Sequence, residues 1–105
     1  MVKKISEEAS KAFYSRKRYK KSNTEVKIVN GLPELYLFGN KIAWIKHNRE
    51  IWFSLCGWNT VTTRDRLQAL DICVFSRERI PHIRQGLIDR PIDFYGKIFS
   101  EKYLF

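Results

Sequence analysis

Asn30-Gly31 constrains the fold of this chain more than any other pair in it. Both residues tolerate positive φ, as the tightest two-residue hairpin turns demand, and both flanks alternate. Before the pair, Val26 and Ile28 alternate with Glu25 and Lys27; after it, Leu35 and Leu37 alternate with Tyr36 and Phe38. Period-two alternation on either side of such a turn predicts antiparallel strands with one buried face. Pro33 has no N–H to donate, so the second strand is expected to start irregularly or to lie at an edge. Gly39-Asn40 reads as another tight turn leading into Ile42 to Lys46, and His47-Asn48-Arg49 as a third leading into Ile51 to Cys56. An antiparallel meander of about four strands is therefore expected over 25–56.

In its last strand Ile51, Phe53 and Leu55 point one way and Trp52, Ser54 and Cys56 the other. Trp44 and Trp52 lie at similar distances from the third turn, so they are expected to be cross-strand neighbours. The tryptophans are expected in the core, because a chain of 105 residues needs large side chains to bury enough area.

Helical signals flank the meander. Ser6, followed by Glu7 and Glu8, reads as an N-cap with acids over the positive helix end, and Ile5, Ala9, Ala12 and Phe13 recur at helical spacing. This predicts a helix over 6–19, the bulk of a basic segment 1–21. Its other side would carry Lys11, Tyr14, Arg18 and Lys21, with Lys17 three residues beyond Tyr14. After the meander, the stretch GWNTVTTRDRL reads as a strand-to-helix junction. Gly57 ends the strand, Thr60 or Thr62 caps, Asp65 stands three residues after Thr62 as in a capping box, and Leu67 and Leu70 form the buried stripe of a helix over 61–71. A second reading of the same stretch has the free N–H groups, the threonine hydroxyls, Arg64 and Arg66 binding a phosphate.

Beyond it Ile72 to Phe75 suits a strand and Arg77 to Pro81 a break. His82 to Gln85 and Leu87 to Ile92 flank Gly86 like a hairpin limited by Pro91. The tail Phe94 to Phe105 reads as a short helix or a swapped arm, with Tyr103, Leu104 and Phe105 suited to a homodimer contact. The whole is α+β and a single domain over 1–105: an N-terminal helix, the meander, one helix after it, and short strands with irregular chain over 72–105.

Charge points to the partner. The net charge is +9 and the pI about 9.8, while 44% hydrophobic and 14% aromatic residues are those of a chain with a core. Lys3, Lys4, Lys11, Arg16, Lys17, Arg18, Lys20 and Lys21 crowd the first fifth, opposed there only by Glu7 and Glu8. Such asymmetry favours a polyanion, since each phosphate neutralised releases counterions. Nucleic acid, RNA ahead of DNA, is the expected partner. Lys11, Arg16, Lys17, Arg18, Lys20 and Lys21 would contact phosphates, Tyr14 and Tyr19 would stack on bases, and Arg64 and Arg66 would extend the surface. An acidic host protein is the alternative, with Trp58 or Tyr103 as anchors.

Other functions find less support. His47 and His82 are the only histidines and nothing places them together; the positions 47, 56, 73 and 82 match no zinc pattern; Asp65, Asp71, Asp89 and Asp93 are scattered. No glycine-rich phosphate cradle appears. A small nuclease therefore ranks third, and no cofactor, metal or catalytic residue is expected. With no apolar segment after the first lysines and no membrane-length apolar run, the expected place is the cytoplasm with no membrane partner. Cys56 and Cys73, standing alone among apolar residues, are expected to be small core residues.

The runs LYLFGNKIAW and IWFSLCGWNTVTTRDRLQAL together resemble a pattern of small proteins of tailed, T4-like phages. Gly39, Asn40, Ile42, Ala43, Gly57, Trp58, Thr60, Thr62, Thr63, Arg66 and Leu67 carry it, and it spans about 26–70. The resemblance implies a phage protein and brings no catalytic residue with it. Taken with the size and charge, it suggests similarity to the RNA-binding inhibitors that such phages direct against the ribonuclease of a type III toxin–antitoxin system.

Overall fold

The computed structural model describes residues 3–47, 49–92 and 98–102. Helix α1 (Lys4–Ser15) turns Ala9 and Phe13 into the core. Its N-cap is Lys3, which makes no side-chain cap, and not Ser6, which lies in the first turn and is buried. The helix ends earlier than expected. Arg16 adopts a left-handed conformation with φ 56°, and the N–H of Lys17 closes the end on the carbonyl of Ala12 at 2.9 Å. The chain then reverses into strand β1 (Tyr19–Lys21), which pairs with strand β2 (Thr24–Val29). Arg18 and Lys21 therefore do not share a helical face with Lys11 and Tyr14. Helix propensity across 16–19 yields here to a sheet edge that three residues can join.

The expected meander is present as β2, β3 (Leu32–Leu37), β4 (Asn40–Ile45) and β5 (Glu50–Phe53), each antiparallel to the next. Asn30 and Gly31 both have positive φ, 52° and 77°, as the first turn requires. The second turn is Phe38-Gly39, at φ 51° and 79°, so Asn40 begins β4 instead of closing the turn. Trp44 pairs with Trp52 across β4 and β5. Helix α2 (Val61–Gln68) follows; it is capped by Thr60 and not Thr62, since the N–H of Thr63 donates to Thr60 Oγ1 at 3.1 Å. Thr63, whose hydroxyl lies 2.9 Å from that of Thr60, holds the capping-box position assigned to Asp65.

A second, three-stranded sheet is built from β6 (Val74–Arg77), β7 (Ile80–Gln85) and β8 (Ile88–Pro91). The expected break at Arg77 to Pro81 is a hairpin turn at Glu78 and Arg79, and Pro91 sits at the end of an edge strand, where no ladder N–H is missed. Strand β9 (Ile98–Lys102) completes the first sheet beside β5, giving the order β1-β2-β3-β4-β5-β9. That part of the tail is a strand of its own sheet and not a helix. The expected apolar contact at Tyr103, Leu104 and Phe105 lies outside the described residues, as do Asn48 and Asp93.

One face of the large sheet is the core face. Val26, Leu35, Leu37, Ile45, Ile51 and Phe53 meet Phe13 of α1 and Leu67 of α2 there. Two expectations about the core fail. Trp44 and Trp52 are half-buried on the opposite face and Trp58 is exposed, because aliphatic residues and two phenylalanines already fill the interior. Cys56 is half-buried and Cys73 exposed, both as free thiols.

Candidate nucleic-acid interface

The structure scatters the predicted binding residues into three groups. Arg66 is the clearest correction: it is 4% exposed and cannot reach a phosphate. Its guanidinium donates to Thr24 Oγ1 at 2.9 Å, Ser6 Oγ at 2.7 Å and Asp65 Oδ2 at 3.2 Å, while Ser6 Oγ donates to the same carboxylate at 2.5 Å. Asp65 also accepts from the N–H of Lys3 at 3.1 Å. The cluster ties α1, β2 and α2 together. Burial pushes the Arg66 pKa below its ordinary value, with the Asp65 carboxylate acting against that shift.

The tyrosines are also engaged. Tyr14 donates its hydroxyl hydrogen to the carbonyl of Leu70 at 2.6 Å, and Tyr19 donates to Glu8 Oε1 at 2.8 Å, with Lys21 Nζ 3.7 Å from the same oxygen. Both rings are half-buried, and Tyr19 stands on β1 and not on the helix. Arg64 is half-buried and donates to Asn59 Oδ1 at 2.6 Å and to its carbonyl at 3.0 Å. Lys11, Arg16 and Lys17 are exposed on or just after α1, the helix that covers the core face.

Arg18 and Lys20 go the other way. With Lys27 of β2 they line a groove of about 530 Å³ beside the short edge strand β1. The groove follows the β1–β2 edge of the sheet, and Glu25, which stands opposite Lys20, lines it beside the three cations.

The outer face carries a row of aromatic rings, one from each of three adjacent strands: Tyr36 of β3, Trp44 of β4 and Trp52 of β5. Each ring has a lysine ammonium over it. Lys27 Nζ lies 4.5 Å from the centroid of Tyr36, Lys41 Nζ 4.9 Å from that of Trp44, and Lys46 Nζ 3.8 Å from that of Trp52. Register makes these pairs. Lys27 stands opposite Glu34 and hence diagonal to Tyr36, the reach at which long side chains still interact across strands.

Lys41 and Trp44 are three residues apart and would fall on opposite faces of a regular strand. A bulge cancels this. The pairing steps from Leu35↔Ala43 to Tyr36↔Lys41, so Ile42 and Ala43 both lie against Leu35 and both are buried. Lys41 is thereby returned to the outer face.

Carboxylates hold the row in place. Glu34 accepts from the Tyr36 hydroxyl at 2.7 Å and lies 3.5 Å from Lys41 Nζ; Trp52 Nε1 donates to Glu50 Oε1 at 3.5 Å. The Glu34 hydrogen bond, helped by burial, pushes the Tyr36 pKa up to about 12, so the phenol keeps its proton and its bond throughout the neutral range.

The two histidines stand on different sheets: His47 is exposed between β4 and β5, and His82 stacks on Phe75 of the small sheet with centroids 5.4 Å apart. Among the described residues, no three His, Cys, Asp or Glu side chains gather in a group fit for a metal. Among the described residues no helix is long and apolar enough to cross a membrane.

Against known proteins, a family model described as Kyanoviridae Gp96 protein matches residues 2–95. No curated protein and no solved structure matches.

Proposed function

We propose that this chain, which belongs to the Kyanoviridae Gp96 protein family and is thus a small phage protein, binds single-stranded nucleic acid, RNA ahead of DNA, without catalysing a reaction. The observation behind the proposal is the row of three lysine-covered rings on the outer sheet face. Stacking on aromatic side chains contributes about 1–3 kcal/mol per base and accepts any base, because every base has a π-face. A base arriving on such a ring shifts the ammonium sideways, toward the phosphate the base brings with it. Arg18, Lys20 and Lys27 continue the row along a groove that Glu25 also lines, and their net positive charge would hold phosphates there. RNA is placed first because unstacked bases are presented chiefly by RNA loops and ends. The family match supports a small phage protein and lends no support to similarity with inhibitors of toxin–antitoxin ribonucleases.

Anisotropy of labelled single-stranded RNA, single-stranded DNA and duplex RNA across a salt series tests it. Single strands are expected to outrank the duplex, with a negative slope of log K against log salt. A duplex bound as tightly as the single strands, or no binding at about 50 mM salt, would overturn the assignment.

A second reading, docking on an acidic host protein, is favoured by the small sheet. Leu87 is fully exposed and Ile80 and Ile88 are largely so, near Arg77 and Arg84. A stoichiometric protein partner captured from nuclease-treated lysate, and lost on Leu87→Ser, would favour that reading.

A further inference from the structure

A recess of about 490 Å³ opens at the end of the large sheet, where the β3–β4 turn meets the segment between β5 and α2. Leu37, Ile42 and Leu55 belong to its lining and to the core, and the aromatic rings of Phe38 and Trp58 stand at it while 71% and 59% exposed. Its volume is within the range of small-ligand sites. Phe38 is in addition held at φ 51°, a left-handed conformation that asparagine or glycine would adopt at less cost. An exposed ring held in such backbone is a candidate contact group.

We propose that this recess receives one unstacked base of the strand bound on the outer face. The inference rests on the single-strand reading and adds a base-specific contact to it. Shape and chemistry fit a flat heterocycle, with apolar walls and aromatic rings beside a few polar groups. Thr60 and Thr63 are occupied with each other at the helix start, whereas the Asn40 amide and the Thr62 hydroxyl form no side-chain hydrogen bond among the described residues. Those two groups are free to meet the edge of a base.

The uncharged lining sets the orientation. The residues that line the recess are all uncharged, and the stretches 37–42 and 55–64 that supply them contain no carboxylate. A base enters and its phosphate stays outside. Lys41 joins the two surfaces, because its ammonium lies over Trp44 on the sheet face while its neighbours Asn40 and Ile42 line the recess.

The double variant Phe38→Ala/Trp58→Ala, titrated with labelled single-stranded RNA over a salt series, tests the inference. Affinity is expected to fall about 10- to 100-fold with the salt slope unchanged, since only stacking is removed. Wild-type affinity in the variant overturns the recess and leaves the outer-face interface standing. Absence of binding by the native chain overturns both, and a variant that binds RNA normally but loses a captured protein reassigns the recess to that protein. Photocrosslinking of 4-thiouridine RNA to the native chain covers the case of a variant that fails to fold. Crosslinks within 37–42 or 55–64 support the recess, and crosslinks confined to Tyr36, Trp44 and Trp52 overturn it.

Discussion

Arg64 and Arg66 show how far a single position can change meaning. Both stood beside the same threonines as equal candidates for phosphate, yet residues two apart on an α-helix point to nearly opposite sides. One of them had to face inward. The spacing was legible; which arginine turned in was not, because its partners Ser6 and Thr24 lie 60 and 42 residues away. Removing one member of such a buried cluster leaves a charge without compensation. Asp65→Ala is expected to cost about 3–5 kcal/mol in a denaturant titration, with the Arg66 guanidinium orphaned. Arg64→Ala, at a half-buried position bonded only within its own loop, is expected to cost about 1 kcal/mol or less. Equal losses would mean that the Asp65 cluster contributes nothing special to stability.

At the level of elements, turns were readable where their chemistry was local. Asn30-Gly31 announced itself, and the β7–β8 hairpin was visible around Gly86. The second turn was misplaced by one residue because phenylalanine is a poor candidate for positive φ, so Gly39-Asn40 looked the better pair. The end of α1 had no mark at all: neither glycine nor proline stands near Arg16, and only pairing with β2 explains the reversal. The bulge at Ile42 was equally silent, although it decides which face Lys41 occupies.

Phe38 offers a measurement at this scale. Phe38→Asn restores the preferred residue to the turn and is expected to stabilise the chain by about 0.5–1 kcal/mol in thermal or denaturant melts. The same change removes a ring from the recess, so oligonucleotide affinity is expected to fall while stability rises. A less stable variant would show that the turn holds no strain to relieve, and a more stable one with affinity intact would show that the ring does not contact the strand.

Across the whole molecule, the basic character was legible and its location was not. Composition counts cations without saying which side of a sheet they serve, and the densest run in the sequence covers two sides. Lys11, Arg16 and Lys17 belong with the helix on the core side, whereas Arg18 and Lys20 border the outer face with Lys27. The lysines that matter most for the proposed interface, Lys27, Lys41 and Lys46, come from three separate strands and form no run at all.

Two sets of neutralised lysines and arginines separate these sides. Each phosphate contact to a single strand contributes about 0.7 to the slope of log K against log salt, so Lys27→Gln/Lys41→Gln/Lys46→Gln is expected to flatten it by about 2. Lys11→Gln/Arg16→Gln/Lys17→Gln removes the same formal charge from the far side and is expected to change the slope by less than about 0.5. Equal net charge makes the comparison sensitive to position alone. If the far-side set flattened the slope and the outer-face set did not, the strand would run along α1, and the row of covered rings would be a device for holding the sheet face together.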